Sequence, residues 1–172
     1  MTDSPDPDPS IEQRINTMLM KSGSGPQPLT LATAESCTGG GVAARLTAIT
    51  GSSGYFLGGI VAYSNDAKAS LLGVSPRTLA NPGAVSAACA REMATGARDA
   101  LGSNFAVSTT GISGPGGATT RKPVGLVYIA LATPDRVTVE EFHFPGDRTA
   151  VTAAATDAAL LMLLHGIAQH LK

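Results

Sequence analysis

Apolar positions along the 172-residue chain switch between a three-to-four spacing and short unbroken runs, the mark of helices alternating with buried strands. Residues 1–9 alternate Pro with Asp and offer nothing to bury, so they are expected to form a disordered tail. Ser10-Ile-Glu-Gln13 has the capping-box arrangement and opens a helix with Ile11, Ile15, Met18 and Leu19 on one face; the Gly/Pro run at 22–26 stops it. Leu29 to Ala34 is an apolar strand, and Gly39 to Thr50 a helix with Val42, Leu46 and Ile49 on one side. Tyr55 to Tyr63 is a second strand, Asn65 to Leu72 a short helix closed by Gly73, and Ser75-Pro-Arg a brief helical turn before Asn81-Pro-Gly83. Ser86 caps a helix to Leu101, and Asn104 to Thr109 is a third strand running into the glycine-rich loop 110–117. Strands at Val124–Thr133 and Val137–Phe144 flank Pro134-Asp135, a hairpin signal, and Asp147 caps a long Ala- and Leu-rich helix to about His170.

Strands interleaved with helices, with a hairpin late in the chain, predict an α/β fold whose sheet is covered on both faces. No repeat or linker divides the sequence, so 10–172 reads as a single domain. Charge narrows the function. A net charge of −1, no basic run, no Trp and 4% aromatics argue against a nucleic-acid partner. The acidic, proline-rich start is unlike a signal peptide, and no uninterrupted apolar run reaches the about 20 residues that span a bilayer, so no membrane association is expected. Cys37 and Cys89 have no metal or redox spacing and read as reduced thiols. The chain reads as soluble and cytoplasmic.

The stretch Thr33-Ala-Glu-Ser-Cys-Thr-Gly-Gly40 concentrates the candidate chemistry. It lies between a strand end and a helix start, where α/β sheets bind ligands and unpaired N–H groups can hold an oxyanion. Ser36 is a candidate nucleophile there. The plainer alternative makes Ser36 or Thr38 an N-cap on a glycine-permitted turn. A serine needs a base, and His143, His165 and His170 sit in no motif. In Tyr63-Ser-Asn-Asp-Ala-Lys68, a desolvated Lys68 could accept the proton, with Tyr63 or Ser64 relaying it; a solvated surface lysine, or a local Ser64–Lys68 pair, fits the same spacing. Cys37, beside a helix start, competes as nucleophile. The 109–117 loop could present N–H groups to a phosphate or carboxylate, or be a plain connection; it lacks the ending of a P-loop. Arg121, Lys122 and Arg148 are the cations near loops.

Six blocks in register carry a family resemblance: TAESCTGG at 33–40, GSSGYFLGGIVAYSNDAK at 51–68, GAVS at 83–86, TTGISGPGG at 109–117, KPVGLV at 122–127 and GDR at 146–148. Together they resemble the CinA C-terminal domain family, and within it the stand-alone nicotinamide-nucleotide amidases. The resemblance implies a three-layer α/β/α sandwich with a mixed sheet, and a homodimer or higher homo-oligomer. It implies hydrolysis of the carboxamide of a small-molecule nucleotide, nicotinamide mononucleotide, in pyridine nucleotide recycling, with no metal or cofactor. Ser36 would be the nucleophile, Lys68 the base and Tyr63 an assistant. Expected substrate-binding residues are Glu35, Cys37, Thr38, Gly39, Asn65, Thr109, Gly111 and Arg148, with the 109–117 loop and Arg148 assigned to the phosphate. The alternative function is a non-catalytic nucleotide- or partner-binding domain using the same cleft.

Overall fold

The computed structural model describes residues 8–21 and 28–172. The tail expected before Asp8 and the helix stop at 22–26 lie outside the described residues. The elements are α1 (Ile11–Lys21), β1 (Leu31–Glu35), α2 (Gly41–Thr47), a 3-10 turn (Ser52–Gly54), β2 (Phe56–Val61), α3 (Asn65–Leu72), α4 (Pro76–Ala80), α5 (Ala87–Leu101), β3 (Phe105–Gly111), β4 (Leu126–Ala132), β5 (Val137–His143) and α6 (Arg148–His170).

Local chemistry sets most boundaries. The capping box at α1 is present: Gln13 Oε1 accepts from Ser10 N at 2.7 Å, and Ser10 Oγ accepts from Gln13 N at 3.3 Å. Ser64, Ser75, Ser86 and Asp147 cap α3, α4, α5 and α6 through their side-chain oxygens. Gly73 and Gly102, both left-handed, terminate α3 and α5. Two expectations need correction at α2. It stops at Thr47 rather than Thr50, where the Thr47 hydroxyl bonds back to the carbonyls of Ala43 and Ala44. Neither Ser36 nor Thr38 is its N-cap: that position is Gly40, which carries no side-chain cap.

The five strands form one mixed sheet in the order β2-β1-β3-β4-β5. β1 pairs in parallel with β2 and β3, while β3–β4 and β4–β5 are antiparallel. Alternation along the strands separates two cores. Leu31, Phe105, Val107, Val127, Ile129 and Leu131 face α1, α2 and α6. Ala32, Ala34 and Ala106 face α3 and α5, with Leu72, Cys89, Met93 and Ala97 packed over them. The second face uses small strand residues, so α5 lies close to the sheet. Gly96 lets α5 approach α3 as well: a Cβ there would fall 1.9 Å from Leu72 O at the end of α3. Each fully buried Leu or Ile contributes about 1.5–3 kcal/mol through burial.

α6 is, by length and composition, apolar enough to cross a bilayer, although its apolar residues form no uninterrupted run. Here it is a core helix: Val151, Ala155, Ala159, Leu160, Leu163 and Ile167 are fully buried against the sheet and α1. Its small polar residues, Thr152 and Thr156, break the apolar run: Thr152 donates to Cys37 O of the neighbouring loop, and Thr156 bonds back to Thr152 O within the helix.

Candidate active site

The chain leaves β1 toward β2 through α2 on one face, and reaches β3 through α3–α5 on the other. The carboxyl ends of β1 and β3 therefore lie side by side at a topological switch point, the place where such sheets open a crevice. Ser36 is the first residue beyond β1, and its N–H is held by Thr109 O of β3 at 3.0 Å. The loop after β3 forms the opposite wall. A cleft of about 260 Å³ lies between them, lined by Ser36, Cys37, Lys68, Gly111, Ser113 and Arg148 among others.

Lys68 reaches this cleft from the first turns of α3 and is only 2% exposed. Its Nζ lies 2.9 Å from Ser36 Oγ, 2.8 Å from Ala62 O and 3.1 Å from Tyr63 O. No carboxylate pairs with it among the described residues. Burial pushes the Lys68 amine below its ordinary range, opposed by weaker effects of the Cys89 and Cys37 thiols. The contacts also fix an orientation. A neutral amine has two N–H groups and one lone pair, and the two carbonyls can only accept. In the ammonium form Nζ donates to all three oxygens; once the proton is lost, the two carbonyls can keep both N–H groups and leave the lone pair for the Ser36 hydroxyl. Ser64 is not the partner, because its oxygen caps α3 by accepting from Ala67 N at 3.1 Å.

Glu35 points the other way, into the α2–α6 side of the sheet, and is 1% exposed. Oε2 accepts from Thr38 Oγ1 at 2.7 Å, Gly40 N at 2.9 Å and Val42 N at 3.1 Å; Oε1 accepts from Ala43 N at 2.8 Å. Thr38 Oγ1 also meets Thr109 Oγ1 at 2.7 Å. This carboxylate supplies the cap that α2 otherwise lacks. It also consumes helix-start donors that the sequence pattern offered to an oxyanion. In the turn itself, Gly39 N and Gly41 N are taken by Ser36 O and Thr38 O, while among the described residues no backbone or side-chain oxygen accepts from Cys37 N or Thr38 N.

A profile of the CinA C-terminal domain matches residues 10–167. The chain belongs to the CinA C-terminal domain family. It is 53% identical over 150 residues to a CinA-like protein of Geobacter sp. (strain M21), an alignment covering 87% of this chain and 35% of that protein. A CinA-like protein of Thermosynechococcus vestitus is 58% identical over 120 residues, covering 69% of this chain and 29% of the relative. The chain thus spans about a third of the length of these curated relatives. Among solved structures, a CinA superfamily protein from Klebsiella pneumoniae superposes with a TM-score of 0.86 at 34% identity, covering 92% of this chain and 96% of that one. A competence/damage inducible protein from Agrobacterium tumefaciens gives 0.83 at 41% identity, covering 96% and 98%. The three-layer α/β/α architecture with a mixed sheet is therefore that of the CinA superfamily.

Within this CinA-family cleft the structure gathers Ser36, Cys37, Tyr63, Asn65, Lys68, Gly111 and Arg148. It leaves Glu35, Thr38, Gly39 and Thr109 out of the lining; Glu35, Thr38 and Thr109 form the buried brace behind the wall. Tyr63 is placed differently from the proton relay expected of it. Its carbonyl accepts from Lys68, while its hydroxyl stands at the exposed rim and accepts from Arg148 Nη2 at 2.7 Å. Arg148 Nη1 donates to Gly114 O at 2.9 Å, so the guanidinium bridges both rims of the cleft. Cys37 is buried and its thiol is pushed up to about 11, chiefly by desolvation, which disfavours the thiolate. Lys122 donates to Pro82 O outside the cleft, and His143 and His170 pair with Glu141 and Asp135 elsewhere on the surface. Among the described residues no group of three His, Cys, Asp or Glu could hold a metal.

Sequence reasoning placed Ser113 in the cleft only as part of the 109–117 loop, with no role of its own, and gave Ala84 and Val85 no place there. Ser113 Oγ donates to Cys37 O at 3.4 Å and joins the glycine-rich loop to the β1 turn. Thr110 Oγ1 donates to Ala84 O at 2.7 Å and draws in the segment before α5. The available signal was the GAVS block at 83–86, which had a family match but no chemical group to suggest a role.

Proposed function

We propose that this domain hydrolyses the carboxamide of nicotinamide mononucleotide to nicotinate mononucleotide and ammonia, in the cytoplasm and as a homo-oligomer. The observation that carries the reading is the buried Lys68 amine 2.9 Å from Ser36 Oγ, with two backbone carbonyls also within hydrogen-bonding distance and able to hold both hydrogens of the neutral amine. Lys68 takes the Ser36 proton as Oγ bonds to the carboxamide carbon. The N–H groups of Cys37 and Thr38 are free to receive the oxyanion. The tetrahedral intermediate collapses by breaking its C–N bond, and protonated Lys68 gives that proton to the leaving nitrogen, releasing ammonia. Water, deprotonated by the now neutral Lys68, attacks the acyl ester; the proton returns to Ser36 Oγ and the acid departs.

The pyridinium of this substrate carries a positive charge, which a neutral Lys68 tolerates better than an ammonium would. Its phosphate has Arg148 and the N–H groups of Gly114, Gly116 and Gly117 within the same cleft wall. Ammonia release from nicotinamide mononucleotide by wild type, Ser36→Ala and Lys68→Ala tests the reading. Turnover in wild type alone is the expected result. Saturable nucleotide binding with no ammonia from wild type would replace it with a non-catalytic binding domain.

A further inference from the structure

We propose that Glu35 is the positioning residue of the nucleophile: its carboxylate locks the β1–α2 turn so that Ser36 Oγ stays on the Lys68 lone pair. The inference rests on the reading of Ser36 as nucleophile.

Glu35 and Ser36 are adjacent, and strand alternation sends their side chains to opposite faces of the sheet. Glu35 is therefore shielded from substrate by the turn itself. Its carboxylate has four protein donors and no basic side chain among its hydrogen-bond partners. A buried acid with these partners gains its compensation from the turn and the start of α2. The donors span Thr38 to Ala43, so a single group ties the strand end to the first turn of the helix. Thr38 passes the constraint on to Thr109 of β3, whose carbonyl holds Ser36 N. The backbone on both sides of Ser36 is thus pinned to fixed elements, while its hydroxyl is left to Lys68.

The turn needs such a lock because its other features are loose. Gly39 and Gly40 occupy the left-handed region with no side chain crowding them closely, and α2 has no side-chain N-cap of the usual kind. Without Glu35 the Ser36 hydroxyl would sample positions off the amine. An error of about 1 Å between reacting groups can cost about 100-fold in rate.

The experiment compares Glu35→Gln and Glu35→Ala with wild type in two assays: kcat and KM for ammonia release from nicotinamide mononucleotide, and the rate of Ser36 labelling by a fluorophosphonate, located by mass spectrometry. Circular dichroism and thermal melts report folding. Glutamine keeps one acceptor oxygen for the three-donor side but turns an amide N–H toward Ala43 N–H; alanine keeps neither. Expected is a fall in kcat of about tenfold for Glu35→Gln and about 100-fold for Glu35→Ala, with KM within about twofold and labelling slowed in parallel. A raised KM at unchanged kcat would make Glu35 a substrate contact and overturn the proposal. So would unchanged labelling in a folded variant, or a rate loss that only follows the folded fraction. If wild type labels at Ser36 but releases no ammonia, the substrate reading fails while the labelling series still decides the role of Glu35. If wild type does neither, both fall. Should Glu35→Ala not fold, Glu35→Gln carries the same comparison.

Discussion

Two glycine-rich segments leave parallel strands side by side, one after β1 and one after β3, yet they have opposite hydrogen-bonding states. In the first, Glu35 and the local carbonyls occupy the N–H groups of Gly39, Gly40, Gly41, Val42 and Ala43. In the second, the N–H groups of Gly114, Gly116 and Gly117 have no acceptor among the described residues, and all three residues line the cleft. A carboxylate within the turn is what separates them. Glycine at a strand end gives access for an anion only when the protein does not supply its own anion first. On the proposed function, the first segment holds the nucleophile still and the second receives part of the ligand.

The sharpest break of this comparison separates chemistry from binding. Ser36→Ala and Lys68→Ala should each lower ammonia release by at least about 1,000-fold, because nucleophile and base act as one unit. Nucleotide affinity by calorimetry should survive, since binding is assigned to the other segment. Loss of binding in Ser36→Ala would merge the two roles. The pH dependence follows from the lowered Lys68 pKa. Only the free amine accepts the proton, so kcat/KM should rise with pH and level off once Lys68 is deprotonated, below the ordinary lysine range. For folding, the sign is the reverse of a salt-bridged lysine. The unfolded state binds the proton more tightly, so as pH falls from the ordinary lysine value to the folded one, stability is lost. Lys68→Met should flatten that part of the stability profile, measured by urea unfolding across pH, while removing activity.

Substituting the glycines compares the two segments in stability. A Cβ on Gly111 would lie 2.6 Å from Val127 Cγ2 and 2.7 Å from Leu126 O, in a strand pairing that cannot open. Gly111→Ala should cost about 1–3 kcal/mol through this overpacking. Gly39 has open space around it, and only its φ of 61° disfavours a side chain. Gly39→Ala should cost about 1 kcal/mol. Urea midpoints of the two variants check the order; a larger cost at Gly39 would mean that the β1 turn is the more tightly built of the two.

The elements were largely legible in the chain because each is written locally: the capping box at Ser10, the serine and aspartate caps, the glycine stops and the Pro134-Asp135 turn. Pairing order was not, since β1 lies between β2 and β3 by virtue of crossovers that no local spacing records. The same division holds at the site. TAESCTGG marked the turn at the cleft, but local pattern could not tell the cleft-facing Ser36 from the inward Glu35, Thr38 and Thr109. That distinction depends on where β1 ends: the strand runs through Glu35, one residue beyond the expected Ala34, and fixes which side chain points into the sheet's α2–α6 side. Ser113 and Ala84 join the cleft through long-range hydrogen bonds, for which the sequence carries no period.

A smaller effect is expected where Arg148 joins the two rims. Its guanidinium donates to Gly114 O and Tyr63 OH, both neutral acceptors that a phosphate can displace. Arg148→Ala should raise KM for nicotinamide mononucleotide about tenfold with kcat nearly unchanged, the signature of uniform binding. Steady-state kinetics with the phosphate-free riboside should show little change between wild type and variant. An equal loss on both substrates would assign Arg148 to the shape of the rim rather than to the phosphate.

The smallest effect belongs to Cys37, the neighbour that sequence alone left as a rival nucleophile. Its thiol is buried and pushed up to about 11, and its side chain packs with the α6-side core. What it offers the reaction is its N–H, which any residue but proline retains. Cys37→Ala should therefore change kcat by less than about threefold, and it should cost about 1 kcal/mol in stability from the lost sulfur contacts. Steady-state rates and a urea midpoint measure both. Iodoacetamide should likewise leave wild-type turnover intact, because a thiol held protonated in a packed wall reacts slowly. A hundredfold fall in kcat in a folded Cys37→Ala would move the nucleophile by one residue, onto the face of β1 that Glu35 occupies. The brace and the chemistry would then share one side of the strand, and the division of labour between the two glycine-rich segments would no longer hold.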